Sequence, residues 1–177
     1  MDKNKTLLVS IICPDRPGLI SSITGLLFDL GINLADASFA VLGEGSEFTA
    51  VCEVPDKVTA KGLTEQLQTL EIENADIKVT PFRWSSDRGA SGNISHRIVL
   101  QGNDEPGLVA RLTEVFGDYD ANIVRMDTKT LPGSSGREYL IELAVSIPQG
   151  RAESCLATIG NTASSLNMKS SWVEVKK

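Results

Sequence analysis

A five-residue stretch occurs twice in this chain. Asp15-Arg16-Pro17-Gly18-Leu19 returns 89 residues later as Asp104-Glu105-Pro106-Gly107-Leu108. At the same offset Leu19, Ile23, Leu26, Leu27 and Leu30 fall on Leu108, Leu112, Val115, Phe116 and Tyr119, and Asn33 falls on Asn122. Both apolar sets follow the spacing i, i+4, i+7, i+8, i+11, one stripe of an amphipathic helix. A repeat at fixed period implies two similar units, each with its own copy of the loop. A chain of 177 residues has room for one ordinary domain or two small ones. Two small ones have thin cores and gain from packing on each other or on a second copy.

The runs around the loop predict the rest of each unit. In the first, Thr6 to Cys13 is β-branched and apolar and reads as a mostly buried strand. A helix follows from Gly18 to Leu30, ended by Gly31. Ile32 to Leu42 reads as a strand, with Ala35, Ala37, Phe39 and Val41 alternating against Asp36, Ser38 and Ala40. Gly43-Glu44-Gly45 is a hairpin turn, and Glu47 to Val54 is the next strand. A helix over 57–70 and a strand from Ala75 to Trp84 complete the unit. The second unit repeats the order. Its strands are Ser95 to Gly102, Ala121 to Leu131, Glu138 to Ile147 and Met168 to Val175, and its helices are Gly107 to Tyr119 and Gly150 to Leu166. Pro132 to Gly136 makes a longer hairpin loop there. The order β-α-β-β-α-β predicts an α+β fold: two tandem ferredoxin-like units, each an antiparallel four-stranded sheet with both helices on one face. Residues 1–84 and 95–177 are the expected domains, and the Ser- and Gly-rich stretch 85–94 is the expected linker.

Composition narrows the function. The chain is 41% hydrophobic and 23% charged, as soluble globular proteins are. No apolar run approaches the ~20 residues that span a bilayer. The N-terminus lacks a signal-peptide layout, and Cys13, Cys52 and Cys155 lie far apart in apolar runs. They read as reduced, buried hydrophobes of a cytoplasmic protein. The net charge of −6 argues against direct nucleic-acid binding, which normally uses a basic face. Residues 1–84 carry 7 basic and 12 acidic side chains, and residues 95–177 carry 9 and 10.

No set of side chains predicts catalysis. His96 is the single histidine and is expected at a strand start without a chemical role. No Ser or Cys can be paired with a base and an orienter. Metal-ligand spacing, a phosphate loop and a dinucleotide fingerprint are absent, so no metal and no cofactor is expected. Asp36 and Asp127 are lone acids on strands, a type that is usually solvated.

Binding remains. Pro17 holds φ near the helical value and lacks the N–H that a first turn leaves unpaired. Gly18 allows a tight turn and the close approach of another group. Asp15 is a good N-cap type whose charge suits the positive end of a helix. The expected result is a helix N-terminus with free N–H groups, able to hold a carboxylate or another anion. The plain alternative is an ordinary capped helix start. Asn33 and Asn122 begin the next strand at the far end of their helices. Asn33 is therefore expected not to reach a ligand held by Gly18 of its own unit, but to reach the loop of a unit packed beside it. A small zwitterion fits such a seam, its carboxylate on N–H donors and its ammonium on an Asn or a backbone oxygen. The alternative for each Asn is a turn residue tolerant of unusual dihedrals.

The frame of strand, Asp-Arg-Pro-Gly-Leu, amphipathic helix, Gly-Ile-Asn, strand, hairpin, strand, helix and strand resembles the ACT domain, a small-molecule sensing module of amino-acid metabolism. The resemblance covers nearly the whole chain as two tandem copies. Ile12 to Phe48 is particularly similar to the glycine cleavage system regulatory protein (transcriptional repressor) family, whose members are stand-alone tandem ACT chains. The matching details are Asp15-Arg16-Pro17-Gly18, Asn33, Asp36 with Ser38, and Leu42-Gly43-Glu44 before Phe48. The second unit departs from them: Arg16 becomes Glu105 and Asp36 becomes Arg125. That argues against two identical ligand sites and favours the first loop. The resemblance implies a homo-oligomer built by ACT–ACT packing, with an amino acid, glycine or serine, at the interface. The implied binding residues are Asp15, Arg16, Pro17, Gly18, Leu19, Asn33 and Asp36, with Asn103, Asp104, Pro106, Gly107, Leu108 and Asn122 in the second unit. It also implies repression through a protein partner, a DNA-binding activator, rather than through DNA.

Two other classes compete. A regulatory small subunit, such as that of acetohydroxyacid synthase, also opens with a Pro-Gly loop but does not clearly repeat it. The stretch Cys13 to Gly18 also resembles the N-terminal ACT unit of formyltetrahydrofolate deformylases, whose catalytic domain has no counterpart in this chain.

Overall fold

The computed structural model describes residues 5–85, 89, 92–133 and 136–175. Contacts divide the chain into two compact units, Met1–Ser85 and Ser86–Lys177. Most of the expected linker, and Ser134 and Ser135 of the expected hairpin loop, lie outside the described residues.

The first unit runs β1 (Lys5–Pro14), α1 (Leu19–Asp29), β2 (Asn33–Leu42), β3 (Gly45–Val54), α2 (Ala60–Gln68) and β4 (Asp76–Pro81). The second runs β5 (His96–Asn103), α3 (Leu108–Asp118), β6 (Asn122–Gly133), β7 (Gly136–Ser146), α4 (Ala152–Ser165) and β8 (Met168–Glu174). Each sheet is antiparallel, with strand orders β2-β3-β1-β4 and β6-β7-β5-β8. The expected α+β architecture, two ferredoxin-like units in tandem, is therefore what forms.

The central strand of each sheet explains the layering. Leu7, Val9, Ile11 and Cys13 of β1 alternate inward and are buried. They meet Leu19, Ile23 and Leu27 of α1 and Leu63 and Leu67 of α2 in one core, so both helices cover the same face. Ile98 and Leu100 of β5 play that part in the second unit, against Leu112 and Phe116 of α3 and Ile159 and Ala163 of α4. His96 stands where the first unit has the buried Leu7, at the repeat offset. It lies buried at the strand start with Nδ1 3.0 Å from Ser95 Oγ. Cys13, Cys52 and Cys155 are free and buried.

Element ends differ from the sequence expectation: α2 and β4 are shorter, whereas β1 and β3 run further and β6 and β7 take up Pro132, Gly133 and Gly136 of the expected hairpin loop. Helix α2 begins at Ala60 rather than 57 because Thr59 caps it, its side chain accepting from the Gly62 N–H at 3.0 Å. Regular pairing in β4 closes at Pro81, although the Phe82 N–H still donates to the Thr6 carbonyl at 3.1 Å. The larger departure is in β2. Its alternating apolar residues do not sink into the core: Phe39 and Val41 are 38% and 52% exposed. β2 is the edge strand next to β3, and α2 packs on β4 at the opposite edge. A register shift between Leu34 and Asp36 leaves Ala35 unpaired, a β-bulge. The same shift occurs between Ile123 and Arg125, at the same repeat offset.

Candidate functional site

The loop that defines the repeat does not cap its helix as expected. The N-cap position of α1 is Gly18, at φ 82, ψ −1, and no side chain caps the helix. Gly107 adopts φ 87, ψ 0 at the start of α3. Both are left-handed conformations, which glycine adopts without the steric cost that a Cβ brings. Asp15 is instead held by its backbone, its N–H donating to the Glu44 carbonyl in the β2–β3 turn at 3.1 Å. The Asp104 N–H reaches the Arg137 carbonyl in the same way, at 3.3 Å. Each loop is thereby pinned to the neighbouring hairpin.

The backbone around Gly18 sorts the donors. The Leu19 N–H donates to the Arg16 carbonyl at 3.2 Å and the Ser22 N–H to the Gly18 carbonyl at 3.0 Å. The hydroxyls of Ser21 and Ser22 also donate to the Gly18 carbonyl, at 2.9 and 3.0 Å. No acceptor is found for the N–H groups of Ile20 and Ser21 among the described residues. These are the unpaired donors of a first helical turn, at the positive end of its dipole.

Beside them lies an open groove of about 420 Å³. One side is the segment Asp15–Ser21, and the other is Phe39 and Val41 of β2. The exposure of those two apolar side chains, unexplained by core packing, is thus the far wall of the groove. One flank offers N–H donors and the Arg16 guanidinium, for which no ion pair is found among the described residues. The Asp15 carboxylate adds the opposite charge. The groove can hold a small zwitterion with an apolar or small side chain.

Five of the expected site residues, Asp15, Arg16, Pro17, Gly18 and Leu19, line this groove. Leu19 itself is a core residue, 2% exposed, so its part is mostly to anchor the loop. Asn33 lies elsewhere. It opens β2, donating to Glu53 Oε2 at 2.9 Å. Phe39 is six residues along the strand from it, which is roughly 20 Å. Asp36 is also outside the groove. It pairs with Val51 on the face away from the helices and accepts a hydrogen bond from Trp84 Nε1 at 2.9 Å. In the second unit Asn103 and Asp104 lie at the end of β5, Pro106 and Gly107 precede α3, and Leu108 is buried. Asn122 begins β6, paired with Ser146. The Asp36 counterpart Arg125 donates to Asp127 Oδ2 at 2.7 Å, and this holds the half-buried Asp127 carboxyl below its ordinary range. Phe39, Val41, Ile20 and Ser21 were missed from sequence. The available signal was apolar alternation on a strand that this fold places at a sheet edge.

Among the described residues no cluster of three or more His, Cys, Asp or Glu side chains could hold a metal. No helix there is long and apolar enough to cross a membrane.

Comparison with known proteins agrees with the geometry. The family model of the ACT domain matches residues 7–71. The glycine cleavage system transcriptional repressor of Escherichia coli (strain K12) is 25% identical over 139 residues, covering 78% of this chain and 72% of that protein. The crystal structure of an unknown protein from Galdieria sulphuraria superposes with a TM-score of 0.77 at 19% identity, covering 97% of this chain and 99% of the other. A structure provisionally assigned as a glycine cleavage system transcriptional repressor gives a TM-score of 0.70 at 15% identity, with 99% and 100% coverage. Residues 7–71 thus match the ACT domain, and the chain as a whole resembles the glycine cleavage system transcriptional repressors.

Proposed function

We propose that this chain is a non-enzymatic regulator that senses a small amino acid and passes the signal to a protein partner. One observation carries the reading: unpaired N–H donors of α1 open into a groove walled by Phe39 and Val41. In that groove the ligand carboxylate meets the Ile20 and Ser21 N–H groups and Arg16, and the ammonium meets Asp15. The apolar wall leaves room for a short side chain, which suits glycine or serine. Likeness to a transcriptional repressor supports regulation as the output. The net charge of −6 favours contact with a DNA-binding activator over contact with DNA. Packing of ACT units into a homo-oligomer would place Asn33 of one unit near the groove of another. For the ligand to act as a switch it must bind one state of the protein more tightly than the other.

A thermal-shift screen against the twenty amino acids tests the first step. Glycine or serine is expected to raise Tm in the wild type and not in Val41→Asp, which puts a second carboxylate in the groove at an exposed edge position. A screen in which no amino acid shifts the wild type would refute the sensor reading. A pull-down tests the second step: capture of a transcription activator supports it, and capture of a large biosynthetic subunit favours the regulatory-subunit alternative.

A further inference from the structure

We propose that only the first unit keeps this groove open, because Tyr139 fills the matching space in the second, so that one chain binds one amino acid. Strand register carries the argument. In the first unit the helix-side row nearest the loop is Val41, Ser46 and Cys13, on β2, β3 and β1. In the second it is Thr130, Tyr139 and Gly102, on β6, β7 and β5. Ser46 is small and buried, and its hydroxyl donates to the Cys13 carbonyl at 3.2 Å. It is the register partner of Val41, which walls the groove, and of Cys13, which leads into the Asp15–Ser21 loop. Tyr139 sets a phenol ring at that register position, half-buried and packed against the second core.

The neighbouring strand differs as well, with Gly102 where the first unit has Cys13. A Cβ on Gly102 would lie 2.7 Å from the Asn167 carbonyl oxygen and 2.8 Å from Met168 Cα. Position 102 must therefore stay bare, so the row in the second unit carries no side chain on β5 and its bulk comes from Tyr139. The other changes point the same way. At the repeat offset Phe39 and Val41 become Thr128 and Thr130, so the apolar wall is lost, and Arg16 becomes Glu105, which repels a carboxylate. The binding count rests on the amino-acid reading above, whereas the filled second groove does not.

Titration calorimetry with glycine or serine is expected to give one site per wild-type chain. The double variant Cys13→Gly/Ser46→Tyr transplants the second unit's pair into the first and should lose binding at least tenfold with its circular dichroism retained. A ligand-independent arm tests Tyr139 directly. Tyr139→Ser leaves a ring-shaped hole that p-cresol should enter, as apolar cavities take up aromatic guests. At ten times its Kd, p-cresol should raise Tm by about 5–10 °C in Tyr139→Ser and not in wild type. Two equal sites per chain, or unchanged binding in the double variant, would overturn the one-site count. No stabilisation of Tyr139→Ser by p-cresol would overturn the filled groove. If wild type binds no amino acid, the sensor reading fails, and the p-cresol result still decides what Tyr139 does.

Discussion

Gly18 separates backbone strain from crowding, and Gly18→Ala measures the former. The residue sits at φ 82, where an L side chain is strained, but the space beside it is open: a Cβ would meet only Ser21 Oγ, at 3.8 Å. No van der Waals clash enters the ledger. A non-glycine residue in the left-handed region costs about 1–2 kcal/mol. Alanine recovers part of that by restricting the unfolded chain, by about 0.4–1 kcal/mol, yet at positive φ the strain wins. Each kcal/mol shifts Tm by about 4–8 °C in a unit of this size. Scanning calorimetry should therefore show the first unit melting about 3–10 °C lower in Gly18→Ala. Gly18→Asn should lose less, because Asn visits this region more readily. Gly107→Ala, at φ 87 with nothing within 4 Å of its Cβ, should behave alike in the second unit. The reasoning is refuted if both alanine variants melt within 1 °C of wild type, or if Asn is the more damaging replacement.

Gly102→Ala should be far worse, because backbone atoms of Asn167 and Met168 stand in the way and cannot rotate aside. Overpacking of this kind costs about 1–3 kcal/mol, and urea titration should put the variant at or above the top of that range. Alkaline stability should fall through Cys52. Burial pushes its thiol up from 9.0 to about 11, so the folded state favours the neutral form. Its contribution is intact below pH 9 and is lost as pH rises toward 11, where unfolded chains have already released the proton. Denaturant titrations at pH 8, 9.5 and 11 should show Cys52→Ala losing less stability than wild type over that interval. A parallel fall in both proteins would sink the assignment.

Much of the fold was legible because it depends on periodicity, which a single sequence carries. The stripe from Leu19 to Leu30 recurring at Leu108 to Tyr119 announced two helices of one design, and the β-branched, apolar run Thr6 to Cys13 announced a mostly buried strand. The loop Asp15–Leu19, singled out in the sequence by its recurrence, lies along one side of the groove. The opposite wall was not singled out. Phe39 and Val41 read only as the apolar side of an alternating strand, and alternation does not report whether a helix covers that side. Cover depends on strand order, a long-range property, and the order β2-β3-β1-β4 leaves β2 at the edge. The role of Asp15 was misplaced by a shorter-range effect. A good capping side chain is irrelevant once Gly18, three residues on, takes the N-cap position in a left-handed conformation.

The bulges show how one frame supports two different outcomes. In a regular strand Leu34 and Phe39, five residues apart, would face opposite sides. Ala35 stands outside the ladder, so Leu34 packs on the core while Phe39 pairs with Phe48 on the same face. Without the extra residue Phe39 and Val41 would turn to the far face, and the groove would lose its wall. The second unit keeps the shift, between Ile123 and Arg125, and so turns Thr128 and Thr130 to the equivalent side. Backbone devices such as the bulge, the left-handed glycine and the tether from loop to hairpin are thus common to both repeats. What differs is the side chains placed on them: Phe39 against Thr128, Ser46 against Tyr139, and Arg16 against Glu105. Divergence at those positions is compatible with a folded second unit, because none of the three is fully buried in both copies, and on the proposed reading it alters what the second loop binds.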